Sequence, residues 1–236
     1  MKRSRVCLVG MFPPPLHGMS LINEYVKKRI SAQVSPLVID FSPRIVDRAL
    51  MARFGKIFPV IRCVSQLLSY LVAGRVGAVY LGLSGGKGQV YDAIFAGISR
   101  LFGRNLYLHH HSYQYLNQFR WLARLLFAIS GENTVHIVAC EKMARDLKRV
   151  YPVVTEVRII SGIAALELLA EAGIAAAAVS HQSARLGEGR STYADGIIAH
   201  VNRVAEQAGV LVCMTTHDAA LAMLRAAAAR REGRVD

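Results

Sequence analysis

Short apolar runs alternate along most of the chain with stretches in which apolar positions recur every three or four residues. Arg5 to Met11 (RVCLVGM), Pro36 to Phe41 (PLVIDF), Val76 to Leu83 (VGAVYLGL), Asn105 to His109 (NLYLH), Val135 to Cys140 (VHIVAC) and Val157 to Ile160 (VRII) read as strands. Helices are predicted between them: from about Met19 to Ile30, through Ile45 to Ala73 with a break at Gly55 and Pro59, and from Val90 to Leu101. Two more are predicted from about Asn117 to Ile129 and from Lys142 to Tyr151. Strands separated by helices of ten or more residues predict an α/β fold with a parallel sheet, and they place functional groups in the loops at the strands' carboxyl ends.

Past Ser161 the alternation continues on a smaller scale. Ala164 to Ala172, Asp195 to Gln207 and Ala219 to Arg231 are expected as helices, and Ile174 to Ser180 and Val210 to Met214 as strands. Composition changes at the same place, from segments rich in aromatic, Leu and Arg residues to alanine-rich runs such as AEAGIAAAAVS. Charge changes with it: of the net +13, residues 1–160 carry +14 (22 Lys+Arg, 8 Asp+Glu) and residues 161–236 carry −1 (7 and 8). We therefore expect two domains, 1–160 and 161–236, the second a small Ala-rich α/β segment.

A basic first domain permits an anionic partner. Lys27, Lys28, Arg29 and Arg44, Arg48, Arg53, Arg62 and Arg75 interleave with apolar positions, a pattern suited to anionic lipid headgroups. The chain shows no nucleic-acid motif, so no nucleic-acid partner is expected. Arg62 and Arg75 interrupt the most apolar segment well short of the roughly 20 residues a membrane span needs. With no secretory signal recognised either, the expected location is cytoplasmic, with peripheral attachment at the inner face of a membrane as the further expectation. Cys7, Cys63, Cys140 and Cys213 form no CxxC pair and read as buried thiols in a reducing compartment, neither a disulfide framework nor a zinc site.

Four loops carry candidate chemistry. Gly10 to Gly18 (GMFPPPLHG) joins the first strand to the first helix, where backbone amides are ready donors to phosphate or sugar oxygens. Ser84-Gly85-Gly86-Lys87-Gly88 departs from the Walker pattern in spacing and in lacking the Ser/Thr after lysine, and reads better as a glycine-lined cleft wall. His109-His110-His111 follows the fourth strand. Alternation along an extended chain turns successive imidazoles to opposite faces, which disfavours chelation of one metal ion and favours one histidine facing a cleft. Glu141 stands near a helix start, where the dipole favours a carboxylate. His181, Arg185, Glu188, Arg190 and Asp195 gather around a glycine-rich turn further on, as a solvated loop or a polar site.

In order, GMFPPPLHGMSLIN, LGLSGGKGQVYD, NLYLHHHSYQYLN and HIVACEKMARDLKRVY resemble the N-terminal, Rossmann-like domain of family 4 (GT-B, retaining) bacterial glycosyltransferases, over roughly residues 4 to 160. The resemblance implies an acceptor-side domain that takes part in transferring a sugar from a nucleotide-sugar to a saccharide or lipid-linked acceptor. It implies His109 at the transferred sugar. Gly10, Pro15, His17, Gly18, Gly85, Gly86, His111 and Glu141 are the expected binding residues, and no metal or other cofactor is expected. The family's donor-domain signature, two glutamates eight positions apart, is missing, since no glutamate here has another at that spacing. Residues 161–236 resemble no part of such an enzyme. The expectation is a truncated or fused relative whose independent activity is doubtful, and the alternative is a non-catalytic protein that binds saccharide or a membrane surface.

Overall fold

The computed structural model describes residues 5–14, 18–42, 57–160, 163–185 and 188–232. It divides into two compact units, Met1–Ser161 and Gly162–Asp236.

The first unit is a six-stranded parallel sheet with helices packed on it, a Rossmann-like α/β architecture. Its strands are β1 (Arg5–Gly10), β2 (Leu37–Asp40), β3 (Val76–Leu83), β4 (Asn105–His110), β5 (Val135–Val138) and β6 (Glu156–Ile159), in the order β2-β1-β3-β4-β5-β6. Chain direction across the sheet reverses once, between β1 and β3. Right-handed crossovers then send the helix after β1 to one face and the later helices to the other. Side-chain parity follows that split. Cys7, Val9, Val79, Leu81, Leu106, Leu108 and Val138 face the main core. That core is closed by α2 (Ile57–Val72), α3 (Gln89–Leu101), α5 (Trp121–Ser130) and α6 (Glu141–Val150). The alternate positions Leu8, Tyr80 and Ile137 face α1 (Gly18–Ser31), which seats Val26 against them.

Helix starts depart from the sequence pattern for local reasons. Pro59 falls in the first turn of α2, where its missing N–H leaves no helical bond unmade, so it does not break the helix. The expected helix from Asn117 is two pieces, α4 (Gln114–Asn117) and α5, separated where Gln118 and Arg120 are extended. Residues 43–56, with the expected Gly55 break and Arg44, Arg48 and Arg53, lie outside the described residues.

In the second unit, α7 (Ala164–Glu171), α8 (Gly189–Asp195), α9 (Arg203–Gln207) and α10 (Thr216–Glu232) accompany two antiparallel strands, β7 (Ala177–Val179) and β8 (Ile198–Val201). Two expectations fail here. Asp195 to Gln207 is not one helix, because Gly196 leaves α8 in an extended conformation and Asn202 starts a new helix by accepting from the Ala205 N–H at 2.9 Å. The same amide accepts from the Ala176 N–H at 3.1 Å and donates to the carbonyls of Ile174 at 2.9 Å and Leu166 at 3.2 Å, so Asn202 ties four segments together. Val210 to Met214 is not a regular strand either. Cys213, exposed against the expectation of a buried thiol, takes φ +70°, although its N–H still donates to Ile198 O at 2.8 Å.

Candidate functional site

Ligands of open parallel sheets bind at the strands' carboxyl ends, where strand order reverses. That point lies between β1 and β3, and a chain of buried polar groups fills it. Gly10 ends β1 and Gly82 is the last residue but one of adjacent β3, both on the α1 face, and the notch they leave holds the carboxamide of Asn23. A β-carbon on Gly10 would lie 2.7 Å from Asn23 Nδ2, and one on Gly82 would lie 2.8 Å from both Nδ2 and Oδ1. Asn23 Nδ2 donates to Met11 O at 3.0 Å, Tyr80 Oη donates to Asn23 Oδ1 at 2.8 Å, and Tyr80 Oη lies 2.7 Å from His109 Nδ1. Asn23 is fully buried, His109 is 2% exposed and Tyr80 is 3% exposed.

The direction of every bond in this chain follows from its fixed end. A carbonyl only accepts, so Met11 turns the Asn23 NH₂ toward itself and leaves Oδ1 facing Tyr80. The single Tyr80 hydroxyl proton goes to Oδ1, so the hydroxyl oxygen must accept from His109 Nδ1–H. His109 is thereby assigned as the Nδ1–H tautomer, with the lone pair on Nε2. Burial lowers its pKa from 6.5 to about 4, which keeps the ring neutral at physiological pH. It also raises the Tyr80 hydroxyl well above its ordinary value, so Tyr80 stays protonated. His109 is therefore held as an oriented, uncharged imidazole with its lone pair on Nε2.

Strand alternation separates the three histidines. His111 joins His109 on the α1 face, ring centroids 4.4 Å apart. His110 points into the main core, where Nδ1 meets Tyr115 Oη at 2.8 Å and Nε2 meets His136 Nδ1 at 2.9 Å. Burial lowers His110 well below its usual pKa, with neighbouring imidazoles adding to the shift, and burial lowers His136 to about 4. His110 is a core hydrogen-bond hub facing away from the edge.

The surrounding loops are braced. Ser42 Oγ both accepts from Phe12 N–H at 3.1 Å and donates to Phe12 O at 2.9 Å, which fixes the loop after β1 to the end of β2. After β3, the carboxylate of Asp92 in the first turn of α3 accepts from Ser84 N–H at 2.8 Å and from Ser84 Oγ at 3.3 Å. Asp92 is fully buried, and burial raises its pKa to about 7 against the two Ser84 bonds that lower it.

The expected residues fall into separate groups. Gly10, His109 and His111 share the α1 face, and Gly18 opens α1 with free space around it. Gly85 lines a cavity of about 210 Å³ with Met11, Phe41 and Tyr91. Gly86, at φ +58°, instead lines a second cavity with Gln89 and Gln114. Glu141 is exposed at the first turn of α6 and lines neither cavity. Pro15 and His17 lie outside the described residues. In the second unit, Arg185 pairs with Glu188 at 3.1 Å, and Asp195 accepts from Ser191 Oγ at 2.9 Å. Arg5 and Arg75 stand at the opposite edge of the sheet, where β1 and β3 begin.

Sequence reasoning missed Asn23, Tyr80 and Asp92. Asn23 carried a faint signal: an amide among the buried positions of the first helix, beside two strands with a glycine at or next to their carboxyl ends. Among the described residues there is no cluster of three metal-ligating side chains, and no helix is long and apolar enough to cross a membrane.

Fold and site together define an α/β protein with a Rossmann-like parallel sheet and a neutral, oriented imidazole at the carboxyl edge of that sheet. Compared with protein-family models, curated proteins and solved structures, the chain matches none.

Proposed function

We propose that residues 5–160 form the acceptor-side, saccharide-binding domain of a glycosyltransferase, with His109 receiving a sugar hydroxyl. The observation that carries this reading is the polar chain from Met11 O through Asn23 and Tyr80, which presents His109 Nε2 as a neutral acceptor at the strand-order reversal. A neutral lone pair suits a hydroxyl and offers nothing to an anion, so it selects for an uncharged part of a ligand. Gly85, which lines a cavity with Met11, leaves room for a polyhydroxylated ligand to approach the backbone closely, and the ordered motifs that resemble those of family 4 enzymes point the same way. Transfer in such a domain depends on holding donor and acceptor in line, and an imidazole fixed in one tautomer supplies part of that positioning.

His109→Gln keeps a polar side chain but loses the directed Nε2 acceptor. One hydrogen bond contributes about 1 to 1.5 kcal/mol, so we expect saccharide affinity to fall roughly tenfold. The check is saturation-transfer NMR of the full chain against a panel of hexoses and disaccharides, with UDP-glucose as trial donor. No binding by any member of the panel, or equal binding by wild type and His109→Gln, would overturn the proposal.

A further inference from the structure

The loops after β3 and β4 enclose a notch of about 180 Å³, separate from the His109 face, lined by Lys87, Gln89, Gln114, Arg120 and Trp121 among others. It opens beside the N-terminus of the 13-residue α3, reached through the single 3-10 turn Gly86–Gly88. Gln89, the first residue of that helix, is only 2% exposed, and its Nε2 has no hydrogen-bond partner among the described residues. A buried amide without a partner is costly, and one on the wall of a cavity marks a position where a ligand atom is missing.

The rest of the wall has a consistent chemistry. Lys87 and Arg120 supply two cations, and no carboxylate is among the lining residues. Gln114 Oε1 lies 3.9 Å from where a β-carbon on Gly86 would sit, so its amide reaches across the mouth. Trp121 is 67% exposed and offers a ring face to an apolar sugar surface. The volume holds about six waters at roughly 30 Å³ each, the room one sugar ring takes. The loop is also braced in advance: the Tyr113 hydroxyl donates to Asp146, Arg120 N–H donates to Tyr151 Oη at 3.0 Å, and Tyr151 Oη donates to Tyr115 O at 2.8 Å. Asp92, the one acid in the first turn of α3, is turned to Ser84 instead.

We propose that this notch binds a sugar ring carrying an acidic group, a carboxylate or a phosphate. The charge lies between Lys87 and Arg120 at the start of α3, the ring rests on Trp121, and a hydroxyl meets Gln89 Nε2. The proposal takes from the function proposed above only the saccharide class of the ligand, and it makes that class acidic.

Glucuronate, glucose 6-phosphate, glucose and inorganic phosphate are titrated into the full chain by calorimetry. At least one of the two acidic sugars binds, ten times or more tighter than glucose or phosphate alone, and the preferred one identifies the acid. Lys87→Met combined with Arg120→Met reduces that affinity tenfold or more. Gln89→Met preserves volume and removes the unpartnered amide, so binding weakens at least threefold while the thermal midpoint stays level or rises. Binding of phosphate as tight as that of the sugar acids, unchanged binding in Gln89→Met, or no binding of any of the four at about 10 mM overturns the proposal. Because the measurement is binding through Lys87, Arg120 and Gln89, a negative result leaves the His109 proposal standing, and loss of transfer in His109→Gln leaves this one standing.

Discussion

Acidification from about pH 6.5 to about pH 4.5 destabilises the first unit by roughly 2 kcal/mol per pH unit, and stability levels off only above about pH 7. The slope follows from proton counting. His109 and His136 are lowered by burial from 6.5 to about 4, and His110 is lowered well below 6.5 by burial and the adjacent imidazoles. As pH falls through that window the three rings of the unfolded chain go from half to full protonation, while those of the folded chain stay largely neutral. Asp92 acts in the opposite sense. Raised by burial from 3.8 to about 7, it keeps in the folded state a proton that the unfolded chain has released. Its contribution is fully present below 3.8 and is lost as pH rises through about 7. The gain on the unfolded rings, from about one and a half protons to three, set against the one proton that Asp92 holds in the fold, leaves a net of about 1.5 on average, at about 1.4 kcal/mol each per pH unit. Over two pH units that comes to about 4 kcal/mol, close to the lower end of typical domain stability. The carboxylate of Asp146, held below its ordinary value by the Tyr113 bond and by Lys142 and Arg149 despite opposing burial, adds loss only at lower pH, as it protonates. Urea unfolding free energies measured at half-unit pH steps give the slope directly. His136→Gln should reduce the slope by about one proton, whereas a flat profile between pH 6.5 and pH 4.5 would show that these rings are not held neutral.

The same three histidines show what the sequence reveals and what it hides. Alternation along NLYLHH places His109 and His111 on one face and His110 on the other, and this much is readable from order alone. Their partners are not. Tyr80 lies 29 residues from His109 and Asn23 lies 57 from Tyr80, and their meeting depends on the missing side chains of Gly10 and Gly82 near the carboxyl ends of neighbouring strands. The parallel sheet was legible because each buried strand is a continuous apolar run. The second unit was less so: in alanine-rich sequence, apolar spacing discriminates poorly between helix and strand, and the deciding groups are polar. Asn202 and the positive φ of Cys213 set its boundaries, and neither contributes to a hydrophobic period. Gln89 is a different case, since an amide at a helix start looks ordinary until its burial without a partner is seen.

Gly82→Ala should have the largest effect of any single methyl group added to this site. The new β-carbon would lie 2.8 Å from both Nδ2 and Oδ1 of Asn23, a residue with no exposed surface and therefore nowhere to retreat. Overpacking costs about 1 to 3 kcal/mol. Displacing the carboxamide from Met11 O and Tyr80 leaves a buried polar group unsatisfied at about 1 to 3 kcal/mol more. We expect a loss of roughly 3 to 5 kcal/mol in urea unfolding. The chemical consequence is separable from the stability loss. Once Asn23 Oδ1 no longer takes the Tyr80 proton, that proton is free to go to His109 Nδ1, and the imidazole hydrogen then moves to Nε2. The ring changes from acceptor to donor toward the ligand. Adding Asn23→Ala to Gly82→Ala removes the clash and should recover a large part of the stability, yet it cannot restore the tautomer. Long-range ¹H–¹⁵N spectra of the imidazole distinguish the two forms: Nδ1–H in wild type and Nε2–H in the double variant, with saccharide affinity about tenfold lower in the second. A double variant that refolds, retains Nδ1–H and still binds sugar would mean that Asn23 does not direct His109, and the site would then need another source for its polarity.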